Sequence, residues 1–341
     1  MANITAGFVQ IHPSYTMPEL IMQYQQPSGA FLALPNATIM PRLSQGDLAV
    51  YIKRLNVKSA FTANQNVSNQ IPSCSVDALQ ISTPTYLLRS RTIYDHHDIA
   101  AAGNWGFSLP EAQRLAMRQG INQGLRNGLL YGFNPQNTGE GLLNAPGATT
   151  LNLPADSFGN DTVVTYDNGQ MAQFLAQQVV AAKIRMNQLG EAARVVILGP
   201  QRVIGQWQYS IVQLTQYQRP GAGSASTAQT LEQVIGWSGD DLEFGSDDTL
   251  IGKGAGGTDA VLIVIPEIKV PFVGSQPNTN IFATLTPSLQ ATTLQLSNVA
   301  APIEITSPLP DGALSTLSEM RATPGWAIRS QGTTIISMQY S

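Results

Sequence analysis

The chain has 341 residues, 43% of them hydrophobic, and a net charge of −4. That is enough apolar sequence for a sizeable folded core. Charged residues make up only 12% of the chain, about half the usual share of ~25%. Subunit contacts are depleted in charged residues, so this composition favours a protein whose surface meets other subunits. No basic cluster could neutralise many phosphates, which argues against tight binding of DNA or RNA.

Three further features limit the classes of protein to which this chain can belong. The single cysteine, Cys74, excludes an intrachain disulfide and fits a reducing compartment. The first residues lack a basic region followed by an apolar run, so we expect no signal peptide. No apolar segment approaches the ~18 residues that a membrane span requires, so no membrane partner is expected.

Two extended segments are predicted at the beginning of the chain. Residues 1–48 are rich in proline, which disfavours long helices, and we interpret them as an N-terminal arm. In residues 49–83 apolar and polar residues alternate on both sides of a polar stretch, which predicts an extended β-hairpin. Such a hairpin has exposed edges and little core, so we expect it to contact a neighbouring subunit. The residues expected at that contact are Leu55, Val57, Lys58, Phe61, Leu79 and Ile81.

A long helix is the clearest predicted element. Apolar residues keep helical spacing over 109–131, and Ser108 with Glu111 matches the Ser-x-x-Glu capping box. Gly132 supplies a C-terminal stop. Glycines recur every fourth residue on one face, by chance or because another backbone approaches closely: Gly120, Gly124 and Gly128.

Residues 151–274 differ in character, because helical periodicity alternates there with short apolar runs. The pattern predicts helices over 169–189, from Ile204 to Leu214 and around Leu231, with buried strands at 195–198 and 261–265. This alternation is typical of a compact α/β unit. From about residue 275 the sequence becomes strand-like again.

Short motifs beyond the long helix carry a family resemblance. The helix ends in Leu-Leu-Tyr-Gly at 129–132, and a polar loop then leads to Gly-Glu-Gly-Leu-Leu-Asn at 139–144. Together with the order of the predicted elements and a returning strand at 320–328, these motifs resemble the Hong Kong 97-type major capsid proteins of tailed bacteriophages. The motif residues are Gly132, Gly139, Gly141, Leu142, Leu143 and Asn144.

The resemblance implies an α+β fold, the Hong Kong 97-type capsid fold. Its parts would be an N-terminal arm (1–48), an extended β-hairpin loop (49–83), a peripheral domain (84–150 and 275–341) with a long spine helix (109–131), and an inserted α/β axial domain (151–274). Only about 48 residues precede the hairpin, whereas the family's prototype carries a large cleaved scaffolding region. The resemblance therefore implies a separate scaffold or none. Lys58 lies where the prototype has its cross-linking loop, but no cross-link is expected from it.

The implied function is structural, with no catalytic, cofactor-binding or metal-binding residues. The subunit would self-assemble through hexameric and pentameric capsomers into the icosahedral shell around a phage double-stranded DNA genome. Assembly would occur in the host bacterial cytoplasm, with a scaffolding protein, a portal and a decoration protein as further candidate partners. An encapsulin, the shell protein of a bacterial nanocompartment, shares this architecture and is the close alternative.

Several short patterns in the sequence resemble those of enzymes and metal sites. Adjacent strand residues point to opposite faces, so His96 and His97 would not converge on a metal. We interpret residues 95–98 as a polar turn, although a soluble α/β enzyme using His96 and His97 stays an alternative. The glycine-rich loop 252–257 lacks the first Gly and the Ser/Thr of a Walker A motif. A solvated acidic edge without EF-hand spacing is predicted at Asp240, Asp241, Asp247 and Asp248.

Overall fold

A computed structural model describes residues 28–35, 43–58, 73–104, 106–134, 139–186, 192–209, 211–212, 225–236, 239–267, 294–296 and 301–341. The helices in these ranges are α1 (His96–Asn104), α2 (Leu109–Tyr131), α3 (Asn168–Arg185), α4 (Gln201–Tyr209) and α5 (Thr227–Gly236). The strands are β1 (Ala49–Lys58), β2 (Ser75–Pro84), β3 (Tyr86–Tyr94), β4 (Thr149–Asn152), β5 (Arg194–Gly199), β6 (Ile211–Val212), β7 (Ala225–Ser226), β8 (Asp241–Ser246), β9 (Asp259–Val264), β10 (Leu294–Gln295), β11 (Ile303–Pro308), β12 (Leu314–Ala322), β13 (Trp326–Ala327) and β14 (Thr333–Met338). The predicted α+β class is confirmed.

The predicted hairpin is an antiparallel pair, in which β1 and β2 run in register from Ala49–Pro84 to Lys58–Ser75. This pair forms a two-stranded sheet of its own. Phe61 and the side chains of Leu55, Val57 and Lys58 lie outside the described residues.

A second sheet supports the long helix. Its three strands lie in the order β11-β12-β3, and α2 packs across one face through a small apolar cluster. That cluster contains Leu88, Ile121, Leu125, Met320 and Ala322. The predicted bounds of this helix, 109–131, are confirmed, because its buried residues recur at helical spacing toward the sheet.

The largest sheet has five strands in the order β4-β14-β9-β5-β8. Every residue of β9 is buried, as is every residue of β5 after Arg194. Helices α3, α4 and α5 cover one face of the sheet. The end of α2 and a 3-10 turn at Ala30–Ala33 cover the other. Covered faces explain the uninterrupted apolar sequences of β5 and β9.

The described part of the arm lies on this sheet of its own chain. The Gly29 amide donates to the Ser246 carbonyl at 2.8 Å, and Arg194 Nη1 donates to the Leu34 carbonyl at 2.8 Å. Ala30 and Ala33 are fully buried. Residues 28–35 therefore complete the core.

The last strand corrects the predicted division of the chain. β14 pairs antiparallel with β9 and parallel with β4. The predicted boundary gave all of 275–341 to the peripheral domain, yet residues 333–338 lie in the main sheet of the unit predicted as 151–274. A short apolar strand fits equally well into any buried sheet, so its sequence does not specify the neighbouring strand.

Helix beginnings and ends also differ from expectation. The predicted polar turn at 95–98 is wrong, because the Asp98 amide donates to Asp95 Oδ1 at 2.9 Å and the Asp95 amide to Asp98 Oδ2 at 3.2 Å. These reciprocal bonds form a capping box that starts α1.

The Ser108 side chain, predicted to cap α2, makes no cap hydrogen bond. The second predicted helix ends at Tyr209, and Ile211 lies in a strand.

Among the described residues, no backbone of another segment lies against Gly120 or Gly124 on the glycine face of α2. A Cβ at Gly120 would meet nothing within 4 Å, and a Cβ at Gly124 would lie 3.5 Å from the Leu88 side chain. At Gly128 it would meet the ring of Phe133. Of these three glycines, only Gly128 therefore lies where a larger side chain would clash with a neighbour.

Candidate assembly surfaces

The motif after the long helix closes the C-terminal end of α2. The last carbonyl groups of a helix have no partners within it. Here the Leu142 amide donates to the Leu129 carbonyl and the Leu143 amide to the Leu130 carbonyl, each at 3.0 Å. Asn144 Nδ2 donates to the carbonyl of the final helical residue at 3.0 Å. The motif thus satisfies the helix end and fixes where the chain leaves it.

The glycines of this motif are required by space and by backbone conformation. Gly141 has φ +80°, and a Cβ there would lie 2.5 Å from the Gly132 nitrogen. Its amide donates to the Gly325 carbonyl at 2.7 Å, and the Gly325 amide donates to the Gly128 carbonyl at 2.9 Å. Three chain segments therefore meet where only glycine fits. We conclude that the motif positions α2 against the returning strand.

Glu140 is a functional part of this junction that the sequence interpretation missed. Although it is buried, its Oε1 accepts from the Tyr86 hydroxyl at 2.7 Å. Its Oε2 accepts from the amides of Phe133 at 3.3 Å and Asn134 at 3.1 Å. The sequence signal for this role was the position of Glu140 between two glycines of the motif. A carboxylate there can accept hydrogen bonds from several backbone N–H groups at once.

The hairpin presents apolar side chains to solvent. Val76 is 60% exposed and Leu79 is 54% exposed, and Tyr51 on the facing strand is exposed as well. Ile81 is half-buried. Exposed apolar residues on a two-stranded sheet form a surface that a partner can cover.

The three-stranded sheet has a second such surface on the face opposite α2. Ile93 on β3 and Ile303 and Ile305 on β11 are exposed there. An ion pair between Arg89 and Glu319, 3.2 Å apart, crosses the same face. Its mixture of isoleucines and exposed charges is typical of the edge of a subunit contact.

The structure does not assemble the enzyme-like candidates into a site. The His96 and His97 rings lie 3.9 Å apart at the start of α1, and both residues are exposed. Within the described residues, no group of three or more His, Cys, Asp or Glu could hold a metal ion. The loop 252–257 leads into β9 and not into a helix, so it lacks the helix N-terminus of a phosphate loop. In the described ranges no helix is long and apolar enough to cross a membrane.

The predicted solvated acidic edge is wrong at two positions. Asp240 is buried and receives Lys183 Nζ at 2.7 Å on both carboxylate oxygens. Asp247 is also buried, and its Oδ1 accepts from the Thr249 amide at 3.0 Å. Buried carboxylates need such partners to offset lost hydration, and the partners are far away in sequence or formed by a turn.

Comparison with known proteins identifies the fold. No family model and no curated protein matches the sequence. The capsid of Myoviridae phage XM1 is similar with a TM-score of 0.68 at 12% identity, covering 95% of this chain and 96% of that chain. A structure from Microbacterium phage Oxtober96 has a TM-score of 0.58 at 12% identity, covering 95% of each chain. The capsid of cyanophage P-SCSP1u has a TM-score of 0.55 at 11% identity, over 96% of this chain and 93% of that chain. This chain therefore has, over nearly its whole length, the fold of these bacteriophage capsid structures.

Proposed function

We propose that this protein is the major capsid protein of a tailed bacteriophage. It is a structural subunit that self-assembles into an icosahedral shell around double-stranded DNA and resides in the virion. The observation that supports this most strongly is the likeness to the phage XM1 capsid, which spans 95% of this chain and 96% of the other. The low charge of the sequence and the two exposed apolar sheet surfaces support it independently.

The proposed subunit has the Hong Kong 97-type division into arm, hairpin loop, peripheral domain and axial domain, with β14 added to the axial sheet. The hairpin would lie across a neighbouring subunit, with Leu79 and Ile81 in the contact. Closed symmetric assembly repeats each contact many times, so each can be modest in affinity. Hexameric and pentameric capsomers are the proposed intermediates, with a separate scaffold, a portal and a decoration protein as further partners.

The experiment that tests this is negative-stain electron microscopy of the purified protein across a range of concentrations. We expect closed particles, or capsomers that assemble into them. A monodisperse monomer at high concentration, with no particles in expressing cells, would contradict the proposal.

Two alternatives are separated by simple controls. A nanocompartment shell would enclose an enzyme, whereas a phage shell protects DNA from added nuclease in particles isolated from infected cells. An enzyme using His96 and His97 would lose its activity when both are replaced by alanine. We expect that double variant to assemble like the wild type, because both histidines are exposed and outside the two apolar surfaces.

A further inference from the structure

The described part of the N-terminal arm forms a strap, residues 28–35, on one face of the five-stranded sheet. Its 3-10 turn packs against the end of α2 and against strands β5 and β8. Ala30 and Ala33 are fully buried there, whereas the larger Phe31 and Leu32 are exposed. A buried alanine contributes less apolar area than a buried leucine or phenylalanine. Hydrogen bonds at the ends of the strap are therefore important for keeping it in place.

The first residues of the strap are bonded to the end of β8 and the turn that follows it. The Gly29 amide donates to the Ser246 carbonyl at 2.8 Å, and the Ser28 hydroxyl donates to Asp247 Oδ2. The two segments approach closely, because a Cβ at Gly29 would lie 2.7 Å from the Gly245 Cα. A side chain at position 29 would therefore displace the strap.

Asp247 also lies beside an arginine that lacks a hydrogen bond at one of its nitrogens. The aspartate is buried, and Arg126 Nε on α2 lies 4.0 Å from its Oδ2. This distance is roughly 1 Å longer than a charge-assisted hydrogen bond. Among the described residues, the buried Nε has no hydrogen-bond partner. A buried donor without a partner costs free energy, so a direct bond to Asp247 would stabilise Arg126.

The strap and α2 thus present two alternative donors to one carboxylate oxygen. We propose that Ser28 and Arg126 compete for Asp247 Oδ2, so that the strap acts as a latch with two positions. While the strap is seated, the Ser28 hydroxyl occupies this oxygen and the strap fills the space beside the end of α2. When the strap leaves, Arg126 Nε donates to the freed oxygen and draws α2 toward the turn after β8. Each position is stabilised by its own partner for the oxygen, and displacement of the strap is transmitted to the long helix.

The latch goes beyond the proposed function, because all of its residues belong to one chain. Hydrogen exchange at the Gly29 amide measures its opening, since this amide is bonded to the Ser246 carbonyl only while the strap is seated. Arg126→Met removes the competing donor and thereby destabilises the open position. We expect protection of the Gly29 amide to rise roughly tenfold, the effect of one charge-assisted hydrogen bond on an equilibrium. Arg118→Met is the matched control on α2, because Arg118 pairs with Glu304, and it should leave this protection unchanged.

The direction of the change decides between a competitor and a support. Unchanged or lower protection of the Gly29 amide in Arg126→Met would overturn the proposal, because an arginine that only supports Asp247 keeps the strap seated. Ser28→Ala removes the strap's own bond to Oδ2, so protection should fall roughly tenfold, and no fall would also overturn the proposal. The amide of Leu262, in the fully buried β9, monitors global unfolding in every variant.

Gly29→Val supplies an independent readout, because its side chain displaces the strap while Arg126 and Asp247 are retained. In this variant Arg126 bonds directly to Asp247. Adding Arg126→Met should then lower the thermal midpoint about twice as far as Arg126→Met does alone. The same loss with and without Gly29→Val would overturn the latch. Both readouts use the unassembled full chain, so their failure is distinct from a failure to form particles, which would contradict the proposed function.

Discussion

The five-stranded sheet and the β1–β2 hairpin show how differently two sheets of one chain are completed. Strand β9 is buried throughout because its own chain covers both faces of the sheet. In β2 every residue from Ser75 to Gln80 is exposed, and among the described strands β1 alone is hydrogen-bonded to it. A two-stranded sheet is marginally stable alone. The first sheet is therefore completed by its own chain, whereas the second leaves apolar side chains exposed to solvent.

The largest effect is expected from a change inside the self-contained unit. Lys183→Met removes the ammonium group that pairs with buried Asp240, and we expect the free energy of unfolding to fall by about 3–5 kcal/mol. Arg89→Met is the matched control, because Arg89 is well exposed in its pair with Glu319, and it should cost less than ~1 kcal/mol. Denaturant titration of the unassembled protein measures both. Equal losses would contradict the expected difference between a buried ion pair and an exposed one.

An intermediate effect is expected where the long helix meets the main sheet. Gly141→Ala forces a side chain into a residue at φ +80° and against the Gly132 nitrogen, so unfolding should become easier by about 1–3 kcal/mol. Gly120→Ala on the same helix meets nothing within 4 Å, and it should stabilise the protein by ~0.5–1 kcal/mol. A lower thermal midpoint for Gly141→Ala and a higher one for Gly120→Ala would confirm that position 141 requires glycine. An unchanged midpoint for Gly141→Ala would refute that requirement.

The smallest effect on folding is expected in the hairpin. Leu79→Ser removes an exposed apolar side chain, so the free energy of unfolding should change by less than ~0.5 kcal/mol. Particle yield in electron micrographs should nevertheless fall, because the proposed contact with the neighbouring subunit loses apolar area. Ile251→Ser, at another exposed apolar residue, should change neither quantity. A stability loss in Leu79→Ser without an assembly defect would mean that the hairpin belongs to the chain's own core.

Local patterns allowed prediction of the elements whose causes are local. The bounds of α2 follow from apolar spacing and from Gly132, and the β1–β2 pairing follows from alternation around a polar stretch. The glycine motif carries only a resemblance in the sequence, and its physical role, the capping of the Leu129 and Leu130 carbonyls, is visible only in the folded chain. Likewise, the capping box at Asp95 was missed because aspartate can fill either a turn or a helix start.

The sequence by itself determined the long helix α2, the two strands of the hairpin and the segments that avoid charge, since these properties depend on residues a few positions apart. Only the tertiary structure decided that β14 joins the five-stranded sheet and that Asp240 is buried against Lys183. Each depends on contacts between residues distant in sequence, which are set by the packing of the whole chain.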